Sequence, residues 1–412
     1  MMLCRGSWQE APNLGGLITS TTLARVNLTI FIMFYIASPF MPHNWRLPVI
    51  DLTFFNQRIV GPAMSLAFLL GASGIATGDE ISIKDSRGQE IVVNRPVSSV
   101  AIFPLPIPEA MIAIDGGTQR LIAINPRAQS ALMNGVIGQL FPEIADIRTD
   151  LVAPNFIPNV EEILTARPDI VLQWQRKGDE RVAPMENGGI KVATVSTSSR
   201  ETRRGYISML GQILGKEDRA QSFLDWEDKT VADIAEVLKT ANRPKPRIAF
   251  IDAMNGNEFV VFGREEAYFE ASGLANAATE AGFTDGSVKV GAESLLVWDP
   301  DIIFVNYYND AIKPADIFQH PVLAGLDAVK NGRVYKTPAI DPATAAGGEL
   351  AYLWFAEIGY PDLFHTDMRE AVADGFKLLY GKDLTAVQID QLMQMSWNGE
   401  SAGYAEAFAA SN

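Results

Sequence analysis

Apolar residues along this chain follow two alternating rhythms. Short β-branched runs such as Ile170-Val171-Leu172 and Ile302-Ile303-Phe304 carry no polar interruption, which is the pattern of strands buried on both faces of a parallel sheet. Segments of helical spacing separate them. One unit occurs twice. Asn159-Val160-Glu161-Glu162-Ile163-Leu164 leads through Arg167-Pro168-Asp169 into the first run, and Glu293-Ser294-Leu295-Leu296 leads through Asp299-Pro300-Asp301 into the second. Each reads as a short helix with glutamate near its start, a Pro-Asp break and a buried strand. A unit present once in each half predicts two similar α/β lobes, and the cleft between two lobes is where a ligand goes.

The rest of the chain keeps these rhythms. Ile81-Ser82-Ile83 and Ile91-Val92-Val93 flank a polar turn at Asp85-Ser86-Arg87-Gly88, which predicts a β-hairpin. Strands are expected over Val97 to Phe103, Leu121 to Ile124, Ile170 to Trp174 and Val192 to Val195, with a helix over Pro108 to Ile114. That β-α-β order predicts a parallel sheet with helices on both faces. From Glu201 to Ala241 the spacing is helical throughout, and no glycine or proline interrupts Lys216 to Ala241. As one helix that stretch is about 35–40 Å long at 1.5 Å per residue. Asn242-Arg243-Pro244-Lys245-Pro246 ends it, since the residue before a proline is driven out of the helical region. The second half predicts strands over Arg247 to Ile251, Phe259 to Gly263, Asp301 to Val305 and Gly332 to Tyr335. Helices are expected over Gly273 to Ala281, Gly348 to Ile358, Met368 to Tyr380 and Thr385 to Met395.

Composition narrows the function. With 412 residues, 48% hydrophobic and 20% charged, the chain has ample core. A net charge of −15 without a basic block excludes nucleic acid as a partner. Cys4 is the single cysteine and His43, His320 and His365 are the only histidines, so no disulfide forms within the chain and a histidine or cysteine metal site has little to draw on. The first 78 residues differ in kind, with four arginines and two acidic residues. There the 14 residues Ile59 to Ala72 follow Arg46 and Arg58 and precede Gly74-Ile75-Ala76-Thr77-Gly78. Basic, apolar and small residues in that order read as an export signal cleaved near Ala76 to Gly78. The apolar run is shorter than the roughly 20 residues that span a bilayer. Met41 is the expected start, with residues 1–40 an extension, and the absence of a Leu-x-x-Cys site predicts a soluble product without a lipid anchor.

At five places in order the chain resembles the periplasmic substrate-binding proteins of ABC importers that carry iron–siderophore complexes, haem and cobalamin. They are residues 84–96, 157–172, 290–306, 320–335 and the long central helix, together covering most of residues 81–380. The resemblance implies an α/β fold of two Rossmann-like lobes with parallel sheets, joined by one long central α-helix, with the ligand in the cleft between them. The expected division is 1–78 for the leader, 79–200 for the first lobe, 201–243 for the connecting helical segment and 244–412 for the second lobe with its tail. A continuous helix resists bending, so lobe closure is expected to be small. The resemblance also implies one glutamate on each lobe that docks on arginines of the inner-membrane permease. Matched residue by residue, these are Glu161 and Glu293, and Glu162 is the neighbour most easily mistaken for the first. Carboxylates at helix starts are favourable with or without a partner.

In open α/β sheets the ligand lies beyond the carboxyl ends of the strands. That rule selects the loops at 103–106, 125–127, 174–176 and 196–200, and at 252–257, 306–309 and 339–344. Trp174 stands where cobalamin-binding members have a ligand-contacting tryptophan, either to stack on a flat ligand or to close the sheet edge. Arg127 and Arg176 are positive groups in an acidic chain, suited to anionic chelates or to surface ion pairs. Tyr307 and Tyr308 serve either as phenolate ligands to iron or haem or as packing at the lobe edge. His320 is expected to be structural.

Enzyme motifs are missing. No Gly-x-Gly-x-x-Gly, phosphate loop or Gly-x-Ser-x-Gly elbow occurs. The expected function is therefore a non-catalytic, periplasmic, monomeric receptor without a resident cofactor or metal, capturing a metal chelate and delivering it to the permease. Ferric siderophore is the leading ligand. Haem, cobalamin and an oxyanion of the molybdate type, held by Arg127, Ser198 and Ser199, are the alternatives, and an α/β enzyme is the competitor from another class.

Overall fold

The computed structural model describes residues 80–175, 179–342, 344 and 346–409. The chain divides into two units, Met1–Gly74 and Ile75–Asn412, and every described residue lies in the second. The predicted leader, Met41 and Arg176 fall outside the described residues. Strands are numbered in chain order: β1 Glu80–Lys84, β2 Glu90–Asn94, β3 Val100–Ile102, β4 Leu121–Ile124, β5 Ile170–Trp174, β6 Val192–Val195, β7 Arg247–Asn255, β8 Glu258–Val261, β9 Ala275–Asn276, β10 Val288–Gly291, β11 Ile302–Val305 and β12 Val334–Lys336.

β1 and β2 form the expected antiparallel hairpin. β4-β3-β5-β6 form an all-parallel sheet, and β10-β8-β7-β11-β12 form the second sheet, with β9 also on β7. Both sheets are buried on two faces. In β11, Ile302 and Phe304 enter a core shared with the first lobe, while Ile303 and Val305 enter a separate outer core. In β5, Ile170, Leu172 and Trp174 face the shared core and Val171 an outer one. Strand alternation thus places one apolar face of each sheet against helices on either side.

The repeated unit folds alike in both lobes. Helix Val160–Ala166 leads to β5 and helix Ala292–Trp298 to β11. Each ends on a left-handed residue directly before its proline, Arg167 at φ 52° and Asp299 at φ 44°, because the proline ring keeps that residue out of the right-handed helical region. The following aspartate then holds the start of the neighbouring parallel strand. Asp169 Oδ2 accepts from the amides of Ser98 and Ser99 at 2.7 and 2.9 Å, and from both serine hydroxyls. Asp301 Oδ2 accepts from the Arg247 amide at 2.7 Å. The Pro-Asp pair therefore ends a helix and registers two strands at once.

Two differences from the sequence expectation have local causes. β8 and β10 run antiparallel to their neighbours, so the second sheet is mixed where a parallel one was expected. Gly256 at φ 58° allows a two-residue turn between β7 and β8, and strands so closely joined can only pair antiparallel, since a parallel pair needs a long crossover. The helix expected over Gly273 to Ala281 begins with β9, and Asn276 then caps the short helix Ala277–Glu280 through its side-chain oxygen, which accepts from the Ala278 amide. The stretch from Lys216 forms one long helix as expected, Glu217–Leu238, and Gly215 at φ 66° separates it from the preceding helix Arg200–Leu214. The long helix has 22 residues, about 33 Å at 1.5 Å per residue. Its apolar face, including Phe223, Leu224 and Ile234, belongs to the same core as the inner faces of both sheets. Arg219 adds a polar tie: its Nε donates to the Ala113 carbonyl at 2.8 Å and its Nη2 to the Leu379 carbonyl at 2.7 Å, the last turns of helices Ile107–Asp115 and Met368–Tyr380. A guanidinium there meets two negative helix ends.

Candidate functional site

A cleft of about 960 Å³ opens at the carboxyl ends of β3, β4, β5, β7, β11 and β12. That volume suits a ligand of several hundred daltons or more. Leu105, Pro106 and Glu109 line it from the first lobe beyond β3, and Asn306, Tyr307 and Tyr308 from the second beyond β11. Tail residues Phe376, Tyr380 and Trp397 close one side. Arg127, Trp174, Tyr307 and Tyr308 all line this one space, as the strand-end rule predicted.

Their surroundings refine the roles. Arg127 sits at the start of helix Pro126–Asn134, where the Asn125 side chain accepts from its amide at 2.8 Å. Its side chain is exposed and makes no ion pair among the described residues. Trp174 touches the cleft but is only 7% exposed and meets Phe156 edge-on, ring centroids 6.4 Å apart. Arg181 lies over the same Phe156 ring at 5.6 Å. Most of the indole therefore closes the sheet edge, leaving a narrow strip for a ligand.

Tyr307 and Tyr308 stack with centroids 4.1 Å apart. The turn that presents them is fixed by side chains: Asn306 Nδ2 donates to Asp252 at 2.7 Å, Asn309 Nδ2 to the Asp252 carbonyl at 2.9 Å, and the Tyr307 amide to Thr337 Oγ1 at 3.1 Å. The Tyr308 hydroxyl donates to Asp341. Although Tyr308 is 44% exposed, the protein packed round its hydroxyl and the Asp341 and Glu109 carboxylates push its ionisation well above that of an ordinary phenol. Burial, Tyr308 and Asp341 push Tyr307 the same way. Both are thus neutral phenols at the cleft wall, offering flat surface and hydroxyl groups rather than phenolates.

Sequence reasoning missed Glu109, Arg264 and Glu266. Glu109 lies within a predicted helix and reads there as a helix-start charge. Burial, with the Asp341 carboxylate opposite, raises its carboxyl to about 8. Arg264 and Glu266 follow β8, whose antiparallel direction was not expected, so the strand-end rule did not point to their loop. Asp252 and Asp341 fall within the loops that rule selected. Among the described residues no group of three or more His, Cys, Asp or Glu is placed to hold a metal ion. No helix among them is long and apolar enough to cross a membrane.

Glu161 and Glu293 lie away from the cleft. Each is exposed in the first turn of its helix and makes no ion pair among the described residues. Glu162 differs: Arg148 Nη2 holds it at 2.7 Å, which separates it from its neighbour. His320 is 7% exposed, with Nε2 3.2 Å from the Gly256 carbonyl and its ring edge-on to Phe259, a packing role as expected.

Comparison with known proteins agrees with the resemblance read from the sequence. Residues 157–340 match the periplasmic binding protein family. The iron-uptake system-binding protein of Bacillus subtilis is 24% identical over 263 residues, which cover 60% of this chain and 79% of that protein. A periplasmic solute binding protein of Veillonella parvula superposes with a TM-score of 0.69 at 24% identity, over 78% of this chain and 99% of that one. The molybdate-bound protein MolA of Haemophilus influenzae superposes with a TM-score of 0.63 at 17% identity, over 74% and 99%. The two-lobed α/β fold is the one these structures share.

Proposed function

We propose that this chain, similar to the periplasmic binding proteins over residues 157–340, is the extracytoplasmic receptor of an ABC importer and carries a metal chelate, foremost a ferric siderophore. One observation carries the reading: a large cleft at the strand ends, with walls from both sheets and stacked tyrosines on one of them. The iron-uptake relative supports iron as the cargo. A bare oxyanion, as in the molybdate-bound neighbour, is a poor match for about 960 Å³. The matching family and the structural neighbours are binding proteins, which supports a non-catalytic role.

Delivery needs a face for the permease. Glu161 and Glu293 occupy equivalent turns of the repeated unit, and an exposed leucine follows each one turn on, Leu164 at 45% and Leu296 at 38%. A carboxylate beside an apolar contact on each lobe is a suitable paired footprint for arginines across an interface. The export signal and monomeric state belong to the same reading. Native mass spectrometry of the protein from its own periplasm, with an absorbance spectrum, is the test. A bound mass with visible absorbance supports a metal chelate and separates siderophore, haem and cobalamin. A small colourless oxyanion mass overturns it.

A further inference from the structure

Resting on the reading of this chain as a chelate receptor, we infer that its cleft selects ferric chelates of zero or positive net charge, of the trihydroxamate kind, and rejects tricatecholates. The described residues lining the cleft include five carboxylates, Glu109, Asp252, Glu266, Asp310 and Asp341, against two guanidiniums, Arg127 and Arg264. Glu109 keeps its proton at neutral pH, because burial raises its carboxyl to about 8, so the formal balance there is −2. Half of the positive charge is already engaged, because Arg264 Nε lies 2.8 Å from Glu266. The other guanidinium, Arg127, is exposed. The carboxylates come from both lobes: Glu109 from helix Ile107–Asp115 and the other four from the second half of the chain. A ligand between the lobes therefore meets the negative charge of those four, while Glu109 keeps its proton at neutral pH.

A second observation marks the same wall as a place for a ligand. Thr344 lines the cleft, is 2% exposed, and its hydroxyl oxygen has no hydrogen-bond partner among the described residues. Buried hydroxyls are normally paired, so this one is an open position for a ligand oxygen or amide. Three hydroxamates, each singly charged, neutralise a ferric ion, and an amine on the chain makes the complex cationic. Three catecholates, each doubly charged, leave a trianion. Bringing that trianion into an acidic cleft opposes binding, whereas a neutral or cationic complex meets no such barrier. Haem propionates and oxyanions face the same obstacle.

The test titrates the full chain at neutral pH and low salt, reading tryptophan quenching, since Trp174 and Trp397 line the cleft. The probes are ferrioxamine B, a cationic ferric trihydroxamate, and ferric enterobactin, a trianionic tricatecholate. The expected result is at least about tenfold tighter binding of ferrioxamine B, the ratio that about 1.4 kcal/mol of electrostatic difference produces. In Asp310→Asn/Asp341→Asn, with folding checked by circular dichroism, the ratio shrinks, and in Arg127→Gln it grows. Tighter binding of ferric enterobactin, or ratios unmoved by either variant, overturns the charge inference and leaves the receptor reading intact. Failure of both chelates to bind overturns the receptor reading and the inference with it.

Discussion

The hydroxyl of Tyr308 donates a hydrogen bond of 2.8 Å to the Asp341 carboxylate. This pairing joins the loop after β11 to the loop after β12 at the wall of the cleft, and it sets the chemistry of the tyrosine. A phenol that donates to a carboxylate gains from keeping its proton, and the same carboxylate repels a phenolate.

Both tyrosines should therefore act on a bound chelate by contact, not by ligating its metal. Replacing Tyr307 and Tyr308 together by Phe is expected to weaken binding by less than about tenfold, the loss of contact and one hydrogen bond. The visible absorbance of the bound ferric complex should keep its shape. A lost or displaced band in the double variant would show that a phenolate reaches the iron.

Docking and capture should separate cleanly. Glu161→Ala/Glu293→Ala is expected to bind chelate as the unaltered protein does and to abolish uptake in cells, because both carboxylates lie outside the cleft. Replacing Glu162 should spare uptake, since that residue is already held by Arg148. Normal uptake by the double variant would remove the docking role.

The Pro-Asp turns should be structural. Asp169→Asn is expected to lower stability by about 1–3 kcal/mol, the cost of impairing hydrogen bonds that a partly buried carboxylate accepts. Burial by itself would raise the Asp169 carboxyl, but the amides and hydroxyls of Ser98 and Ser99 hold it below the usual carboxylate range. Its contribution is therefore present above that range and lost as pH falls through the lowered value. Denaturant midpoints of Asp169→Asn and the unaltered protein should converge as pH falls.

Glu349 has the opposite sign. It is 1% exposed in the first turn of helix Gly348–Gly359, with Oε2 accepting from the Gly347 amide and Oε1 without a partner among the described residues. Burial pushes its carboxyl up to about 8. The folded protein keeps that proton where the unfolded chain has released it, so the stabilisation is full at acid pH and is lost as pH rises through about 8. Glu349→Gln should therefore lose less stability than the unaltered protein between pH 6 and pH 9. Parallel thermal midpoints across that interval would contradict the shift.

What the sequence determined by itself was local and repeated. A helix start with glutamate, a Pro-Asp break and an uninterrupted apolar run need only their own neighbours to be recognised, so both lobes, the helix Met368–Tyr380 and most strands were legible. The strand-end rule likewise located Arg127, Trp174, Tyr307 and Tyr308 at one cleft. Tertiary structure decided the rest, because it depends on which distant groups meet. The direction of β8 follows from one glycine turn, and Trp174 is packed by Phe156. The charge of the cleft was the least legible feature. Arginines near strand ends suggested a positive site, yet among the described residues carboxyl groups outnumber guanidiniums there, five to two, and they are drawn from helix, strand and loop. Electrostatics sums over space, and neighbours along the chain do not reveal that sum.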